Sequence, residues 1–219
     1  MPITNILIVD DHPLFSMGLA SLIGSRPLYH VVGVAKNSFE AMEILRSEKP
    51  HLVALDLDLG DENGMDMIPA IKAFDAGIAI LVLSMHDERY YSERILSMGA
   101  QGYIMKDEAA DKVLDAIKTV IAGKVYLSES ERKRIAEALN TGNIKGNQDK
   151  LACVQKLSNR QIQIFTFIGK GLGTIEIANK LNLSTKTIDT HKENIKLKLH
   201  CSSSYELRQL AVEWAISAR

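Results

Sequence analysis

The sequence predicts an α/β domain with a doubly wound, five-stranded parallel sheet, followed by a small all-α domain. Three observations lead there. Short apolar runs alternate with helix-periodic segments through the first part of the chain and then stop. Acidic, hydroxyl or basic residues stand directly after several of those runs. Charge is also divided. Of 26 lysines and arginines and 27 aspartates and glutamates, residues 151–219 hold 10 and 5, a net of +5, which leaves 16 and 22, a net of −6, for residues 1–150. An acidic first part and a basic second part imply different partners, with nucleic acid a candidate for the second.

The elements follow in order. Ile6-Leu7-Ile8-Val9 is a strand ending in Asp10-Asp11, and Phe15, Leu19, Leu22 and Ile23 mark a helix that closes at Gly24. Val31 to Val34 is a second strand, and Ala41, Ile44 and Leu45 a second helix. Leu52 to Leu55 is a third strand ending at Asp56; Ile68, Ile71 and Lys72 belong to a helix after Gly64. Ile78 to Leu83 is a fourth strand ending at Ser84, and Tyr91 to Met98 a helix stopped by Gly99. Gly102 to Met105 is a fifth strand ending at Lys106, and Val113, Leu114, Ile117, Val120 and Ile121 form the face of a helix closed by Gly123. Near-continuous apolar strands belong to a parallel sheet covered on both faces.

Residues 124–149 read as a partly helical linker, with Ser128 to Leu139 helical and Thr141 to Gln148 of turn composition. From about residue 150 the pattern is all helical. Cys153 and Cys201 fit no metal-ligand spacing and are expected reduced. There is no signal-peptide pattern and no apolar run of membrane length, so a cytoplasmic protein with no membrane partner is expected.

Ligand sites in such sheets lie beyond the carboxyl ends of the strands. Asp10, Asp11, Asp56, Ser84 and Lys106 all fall there. Alone, an Asp after a strand is ordinarily a turn residue or cap, Ser84 a local cap, Tyr103 packing and Lys106 a solvated cation. Their joint placement outweighs those readings. Three clustered carboxylates repel one another unless a cation intervenes, and Mg²⁺ prefers oxygen ligands. Lysine and serine complete a phosphoryl cradle, and a carboxylate nucleophile gives an aspartyl phosphate.

Val9-Asp10-Asp11, Leu55-Asp56-Leu57, Ser84 and Gly102-Tyr103-Ile104-Met105-Lys106 together resemble the flavodoxin-like receiver domain of two-component response regulators, over residues 4–123. The resemblance implies Asp56 as phosphoacceptor from a sensor histidine kinase. It implies Asp10, Asp11, Asp56 and the Asp58 backbone carbonyl as Mg²⁺ ligands. Ser84 and Lys106 would hold the phosphoryl group, and Tyr103 would reorient with Ser84. Asp58 and His86 would flank the path of hydrolytic water. Gly60 stands where the family usually has proline and is expected to loosen that loop. His12 and His86 lie nearby without making a ligand set for a metal other than Mg²⁺.

In the basic part, Ile175, Ala178 and Leu181 give one helix an apolar face. Asn182-Leu183-Ser184 is a turn, with Ser184 an N-cap, and Thr185 to Leu199 is a second helix. Ile188, His191, Ile195 and Leu199 share its inner face. Lys186, Asp189, Thr190, Glu193 and Lys196 share the outer arc, with Leu197 an apolar exception. Leu207, Leu210, Ala211 and Trp214 stripe the last helix as core, with part of it available for a dimer contact. Leu157-Ser158-Asn159-Arg160, Glu176-Ile177-Ala178, Leu183-Ser184, Thr187-Ile188, His191 and Lys198-Leu199 resemble the LuxR-type helix-turn-helix domain of NarL/FixJ-class regulators, over residues 150–215. Gln161 replaces a usual acid, and Ser202-Ser203-Ser204 lacks a common arginine, which questions local salt bridges. The DNA-contacting set is Lys186, Thr187, Asp189, Thr190, Glu193 and Lys196. His191 is expected to pack or position phosphate. Asp189 and Glu193 either accept from cytosine N4 or pair with nearby lysines, Glu193 with Lys196 and Lys186 with Asp189.

The expectation is a phosphorylation-dependent DNA-binding transcriptional regulator, not an enzyme, that binds double-stranded DNA as a homodimer. Two alternatives stand beside it. One is a haloacid-dehalogenase-like phosphatase using Asp56 and Asp58; the helix-turn-helix tail and Gly60 speak against it. The other is an interaction module that never takes phosphate.

Overall fold

A computed structural model of the chain describes residues 3–60, 62–141, 154 and 157–217. The chain divides into two compact units, Met1–Ile135 and Ala136–Arg219. In the first, five strands form one sheet: β1 Thr4–Val9, β2 Tyr29–Ala35, β3 Leu52–Asp56, β4 Ala79–Ser84 and β5 Gly102–Met105. Their order is β2-β1-β3-β4-β5, and every neighbouring pair is parallel. Five helices connect them: α1 Pro13–Gly24, α2 Ser38–Glu48, α3 Met67–Phe74, α4 Glu88–Ser97 and α5 Ala110–Ile121.

The apolar runs are apolar because the central strands are covered on both faces. Every residue of β3 is buried, whereas edge strand β2 buries only Ala35. On one face, Ile6, Ile8, Leu52, Ala54, Leu81 and Leu83 pack with Leu19 and Ile23 of α1 and Val113, Ile117 and Val120 of α5. Each such Ile, Leu or Val side chain contributes about 1.5–3 kcal/mol of transfer free energy. That packing holds the strand ends, and therefore the site, in fixed register.

Two features depart from the sequence reading. A short antiparallel ribbon, Asp58–Leu59 with Glu62–Asn63, and a 3-10 turn at Gly64–Asp66 lie between β3 and α3. Gly60, expected to loosen this segment, has φ +58 and sits where the ribbon turns. That is a left-handed conformation which glycine adopts at little cost and proline cannot reach. A Cβ on Gly64 would stand 1.9 Å from the Asp56 carbonyl oxygen, so only glycine lets the chain return so close to β3.

Residues 124–135 belong to the first unit. Tyr126 bridges Gly102 in parallel, with the Tyr103 amide donating to the Tyr126 carbonyl at 3.0 Å. Helix α6, Glu129–Thr141, follows. Thr141 is thus helical rather than the start of the expected loop, and residues 142–148 of that loop lie outside the described residues.

The second unit contains α7 Asn159–Gly169, α8 Thr174–Lys180, α9 Thr185–Lys198 and α10 Ser204–Ser217. Its core includes Ile162, Phe165, Ile177, Ile188, Ile195, Leu207, Ala211 and Trp214, with the Phe165 and Trp214 rings 5.4 Å apart. Ile175 is not on the inner face of α8: it is 68% exposed, and Ile177 is buried in its place. At 100° per residue, 177, 178 and 181 span one arc, and 175 falls about 60° outside its edge. Gln161 fills the role of the missing acid. Its side-chain oxygen accepts from the Ser158 amide at 2.9 Å, completing a capping box, and from Lys198 Nζ at 2.8 Å. Leu207, Ala211 and Trp214 of the last stripe are buried and Leu210 is half-buried.

Candidate functional site

The ends of β1, β3, β4 and β5 bring Asp10, Asp56, Ser84 and Lys106 together. Asp56 is 2% and Ser84 0% exposed. Lys106 Nζ lies 2.7 Å from Asp10 Oδ2 and 2.6 Å from Asp56 Oδ2, and it sits 4.6 Å from the centre of the Phe15 ring. The lysine is therefore desolvated and aimed by α1 as well as by β5. The Asp58 amide donates to Asp56 Oδ1 at 3.2 Å. Burial pushes the Asp56 carboxyl up to about 6, against the opposing pull of Lys106 and with a further push from Asp10.

Ser84 and Tyr103 also meet. The Ser84 hydroxyl accepts from the His86 amide at 3.1 Å. The Tyr103 ring is fully buried, and its hydroxyl donates to the His86 carbonyl at 2.7 Å. Burial raises the Tyr103 phenol well above its ordinary value, partly offset by a hydrogen bond with Ser84. Asp58 lies across from His86, with Oδ2 2.9 Å from Nε2. The His86 ring stacks on Tyr91 of α4 at 5.1 Å. The pair expected to flank the water path is thus joined into one assembly with α4.

Asp11 lies beside this cluster. Its Oδ1 is buried and makes no hydrogen bond among the described residues. Together with the buried Asp10 and Asp56 it offers an all-oxygen donor set for a hard divalent cation. Three carboxylates gathered this closely fit such an ion. His12, which the sequence places nearby without counting it a ligand, joins the cluster: one ligand atom from each of Asp10, Asp11, His12 and Asp56 falls within 4.8 Å of the others.

On α9, Lys186, Asp189, Thr190 and Glu193 are exposed, while Thr187 and Lys196 are half-buried. Ser184 caps the helix by accepting from the Thr187 amide at 3.0 Å, and Thr187 Oγ1 lies 2.8 Å from Ser184 Oγ. Lys196 pairs with Glu193 at 2.9 Å. Asp189 accepts from Thr174 at 3.4 Å, and Lys192 donates to the same hydroxyl at 2.5 Å, tying α9 to α8. The Thr190 hydroxyl is turned back to the Lys186 carbonyl at 3.0 Å. Burial, then the nearby Arg160 charge, lowers the His191 imidazole, which agrees with its packed position. Leu197 is 74% exposed, as its place on the outer arc requires.

Residues 6–118 match the response regulator receiver domain, and residues 155–211 match the bacterial regulatory proteins of the luxR family. The chain is a response regulator of the NarL/FixJ type. Its relatives include the transcriptional activator protein ExaE of Pseudomonas putida, 33% identical over 95% of each chain. The oxygen regulatory protein NreC of Staphylococcus epidermidis is 30% identical over 95% of this chain and 96% of its own. Among solved structures, a LuxR-family response regulator from Aurantimonas sp. SI85-9A1 is 31% identical. It covers 63% of this chain and 99% of its own at a TM-score of 0.59. RcsB of Salmonella enterica serovar Typhimurium, solved on promoter rprA with a phosphomimetic, shares the fold at 22% identity and TM-score 0.62, over 96% of this chain and 98% of its own. Family membership removes the haloacid-dehalogenase alternative.

One assembly of the response regulator had no sequence signal. Helix α6 is seated on α4 by polar groups. Ser92 donates to Glu131 at 2.5 Å; both are buried. Arg134 donates to Glu131 at 2.7 and 2.8 Å and to Glu93 at 2.6 Å. The Ser128 amide donates to Glu88 at 2.9 Å, and burial raises the Glu88 carboxyl. The partners across this seam lie 39–41 positions apart in the sequence, so local periodicity carries no trace of their meeting. Among the described residues no helix is long and apolar enough to cross a membrane.

Proposed function

We propose that this response regulator accepts a phosphoryl group on Asp56 from a sensor histidine kinase and thereby changes DNA binding by its second unit. The observation that supports this most directly is the convergence of buried Asp56 and Asp10 on one lysine at 2.6 and 2.7 Å. A carboxylate oxygen of Asp56 attacks phosphorus, the bond to the donor's imidazole nitrogen breaks, and that nitrogen takes up a proton. Lys106 stands ready to bind a phosphoryl oxygen, and the Asp58 amide steadies the carboxylate through Oδ1. Ser84 then exchanges its bond to the His86 amide for one to the phosphoryl group, which loosens the His86–Tyr103 connection to α4. Asp10, Asp11, Asp56 and the Asp58 carbonyl would hold Mg²⁺, which supplies charge neutralisation of the transferring group.

In this reading residues 4–123 are the receiver and 150–215 the DNA-binding domain. Residues 124–149 link them, and α6 carries the signal through its seam with α4. DNA is contacted by Lys186, Thr187, Asp189, Thr190, Glu193 and Lys196 of α9, entering the major groove. The protein acts in the cytoplasm and binds DNA as a homodimer, without turnover of its own.

The deciding experiment is intact-mass analysis after acetyl phosphate and Mg²⁺, with DNA binding measured on the same sample. Wild type should gain one phosphoryl group and change its affinity for promoter DNA; Asp56→Asn should do neither. Equal labelling of both would overturn the assignment. Absence of labelling in wild type would favour the phosphate-independent interaction module.

A further inference from the structure

A cavity of about 450 Å³ lies at the amino-terminal ends of the strands, the opposite end of the sheet from Asp56. His51 and Gln101, which precede β3 and β5, line it with Ala79, the first residue of β4. Val120 and Ile121 of α5 supply an apolar wall. His51 and Asp56 stand at opposite ends of β3, roughly 16 Å apart at about 3.3 Å per residue. The cavity is therefore distinct from the acidic cluster, and its volume falls in the range of small-molecule sites, about 300–1,000 Å³.

Backbone amides fix two of its polar side chains. The Ile80 amide donates to Gln101 Oε1 at 2.7 Å. That contact identifies the oxygen and leaves the Gln101 NH₂ group with two protons to give. The Asn5 amide donates to His51 Nδ1 at 2.9 Å. An imidazole nitrogen that accepts carries no proton, so the ring's proton is on Nε2.

The neighbouring backbone acceptors are already engaged. The carbonyls of His51 and Gln101 accept from the Ala79 and Tyr126 amides, each at 2.9 Å. Those of Lys118, Thr119 and Val120 accept from amides of the turn that ends α5. The wall thus combines apolar side chains with an excess of neutral donors. It lies at the carboxyl end of α5, where the helix dipole disfavours an anion. We infer that this cavity binds a neutral, mostly apolar small molecule carrying a carbonyl-type oxygen, which accepts from Gln101 Nε2, with His51 Nε2 as a second donor. Because the Gln101 carbonyl also holds the Tyr126 amide, a ligand there bears on the segment that leads into α6.

The test is a ¹H–¹⁵N NMR titration of the full-length protein with acetophenone, ethylbenzene and benzoate. The first offers a neutral acceptor on an apolar ring, the second the ring without the acceptor, and the third the acceptor with a charge. Acetophenone should shift the Gln101 side-chain signals and the Ala79, Gly123 and Tyr126 amides saturably, with a dissociation constant on the order of millimolar. Ethylbenzene and benzoate should each bind about tenfold or more weakly. Gln101→Glu keeps the acceptor for the Ile80 amide but removes the donor, and should weaken acetophenone by about tenfold. Ala79→Leu, which fills the cavity, should abolish binding. Absence of saturable shifts at these groups would overturn the inference, as would equal binding by ethylbenzene or benzoate. Unchanged acetophenone affinity in Gln101→Glu would do the same. Should Gln101→Glu fail to fold, unchanged affinity in Ala79→Leu decides against the site.

Discussion

The two functional faces of this protein use charge in opposite ways. At the strand ends of the first unit, Asp10, Asp56 and Lys106 are buried and already paired with one another. On the outer arc of α9, Lys186, Asp189 and Glu193 stand in solvent, with Glu193 paired to Lys196 and Asp189 accepting from Thr174 of α8. Burial makes each charge of the first set matter to the fold, because a desolvated ion left unpaired is costly. Exposure makes each charge of the second set nearly neutral for stability. A change of charge therefore acts on the fold at the first face and leaves it nearly untouched at the second.

The largest expected effect tests that contrast directly. Lys106→Met leaves two buried carboxylates without their cation and should destabilise the first unit by about 3–5 kcal/mol in Mg²⁺-free urea unfolding. Lys186→Ala should change stability by less than about 1 kcal/mol in the same assay. Similar losses in the two variants would erase the distinction.

Asp56 sharpens it through pH. Its folded value of about 6 lies above the ordinary 3.8, so the folded state holds the proton more tightly than the unfolded chain. Its contribution is stabilising at low pH and is lost as pH rises through about 6. Without Mg²⁺, Asp56→Asn should remove that part of the pH slope and raise stability near neutrality by up to about 3 kcal/mol. A parallel pH profile for variant and wild type would contradict the burial argument.

The α4–α6 seam comes next. Glu131→Ala should cost about 1–3 kcal/mol, since it strips a buried serine and an arginine of their acceptor. Hydrogen exchange should quicken in α6 before it does in the sheet. The His86–Asp58 pair gives a kinetic counterpart. His86→Ala and Asp58→Ala should each alter the decay rate of the phosphorylated form, and the double variant should be non-additive because the two side chains act as one contact.

The smallest effects belong to α9. Lys186→Ala should weaken binding to all DNA sites and flatten the salt dependence by about one unit. Glu193 is paired with Lys196, so Glu193→Ala should tighten binding to every site. Asp189 accepts from Thr174 at a long 3.4 Å, so Asp189→Ala should change base preference at one position. Uniform tightening by both acid variants across a site library would remove base reading from this helix.

Much of this was legible in the chain itself. Continuous apolar runs specify strands covered on both faces, and four of the five runs ended on a residue that reaches the site, because side chains at strand ends escape the core whatever packs around them. Ser184 before Thr185 marked the start of α9 for a local reason, the satisfaction of the Thr187 amide. What the sequence could not determine were encounters between distant polar residues. Nothing local says that Glu131 is buried against Ser92, that Arg134 reaches Glu93, or that Asp58 faces His86. Ile175 failed as a core residue because a short helix leaves the choice among neighbouring apolar positions to whatever it packs on. Periodicity and caps are properties of one element and can be read from it. Partner choice, and with it burial and pKa, belongs to pairs of elements and was decided only when the sheet, α4 and α6 came together.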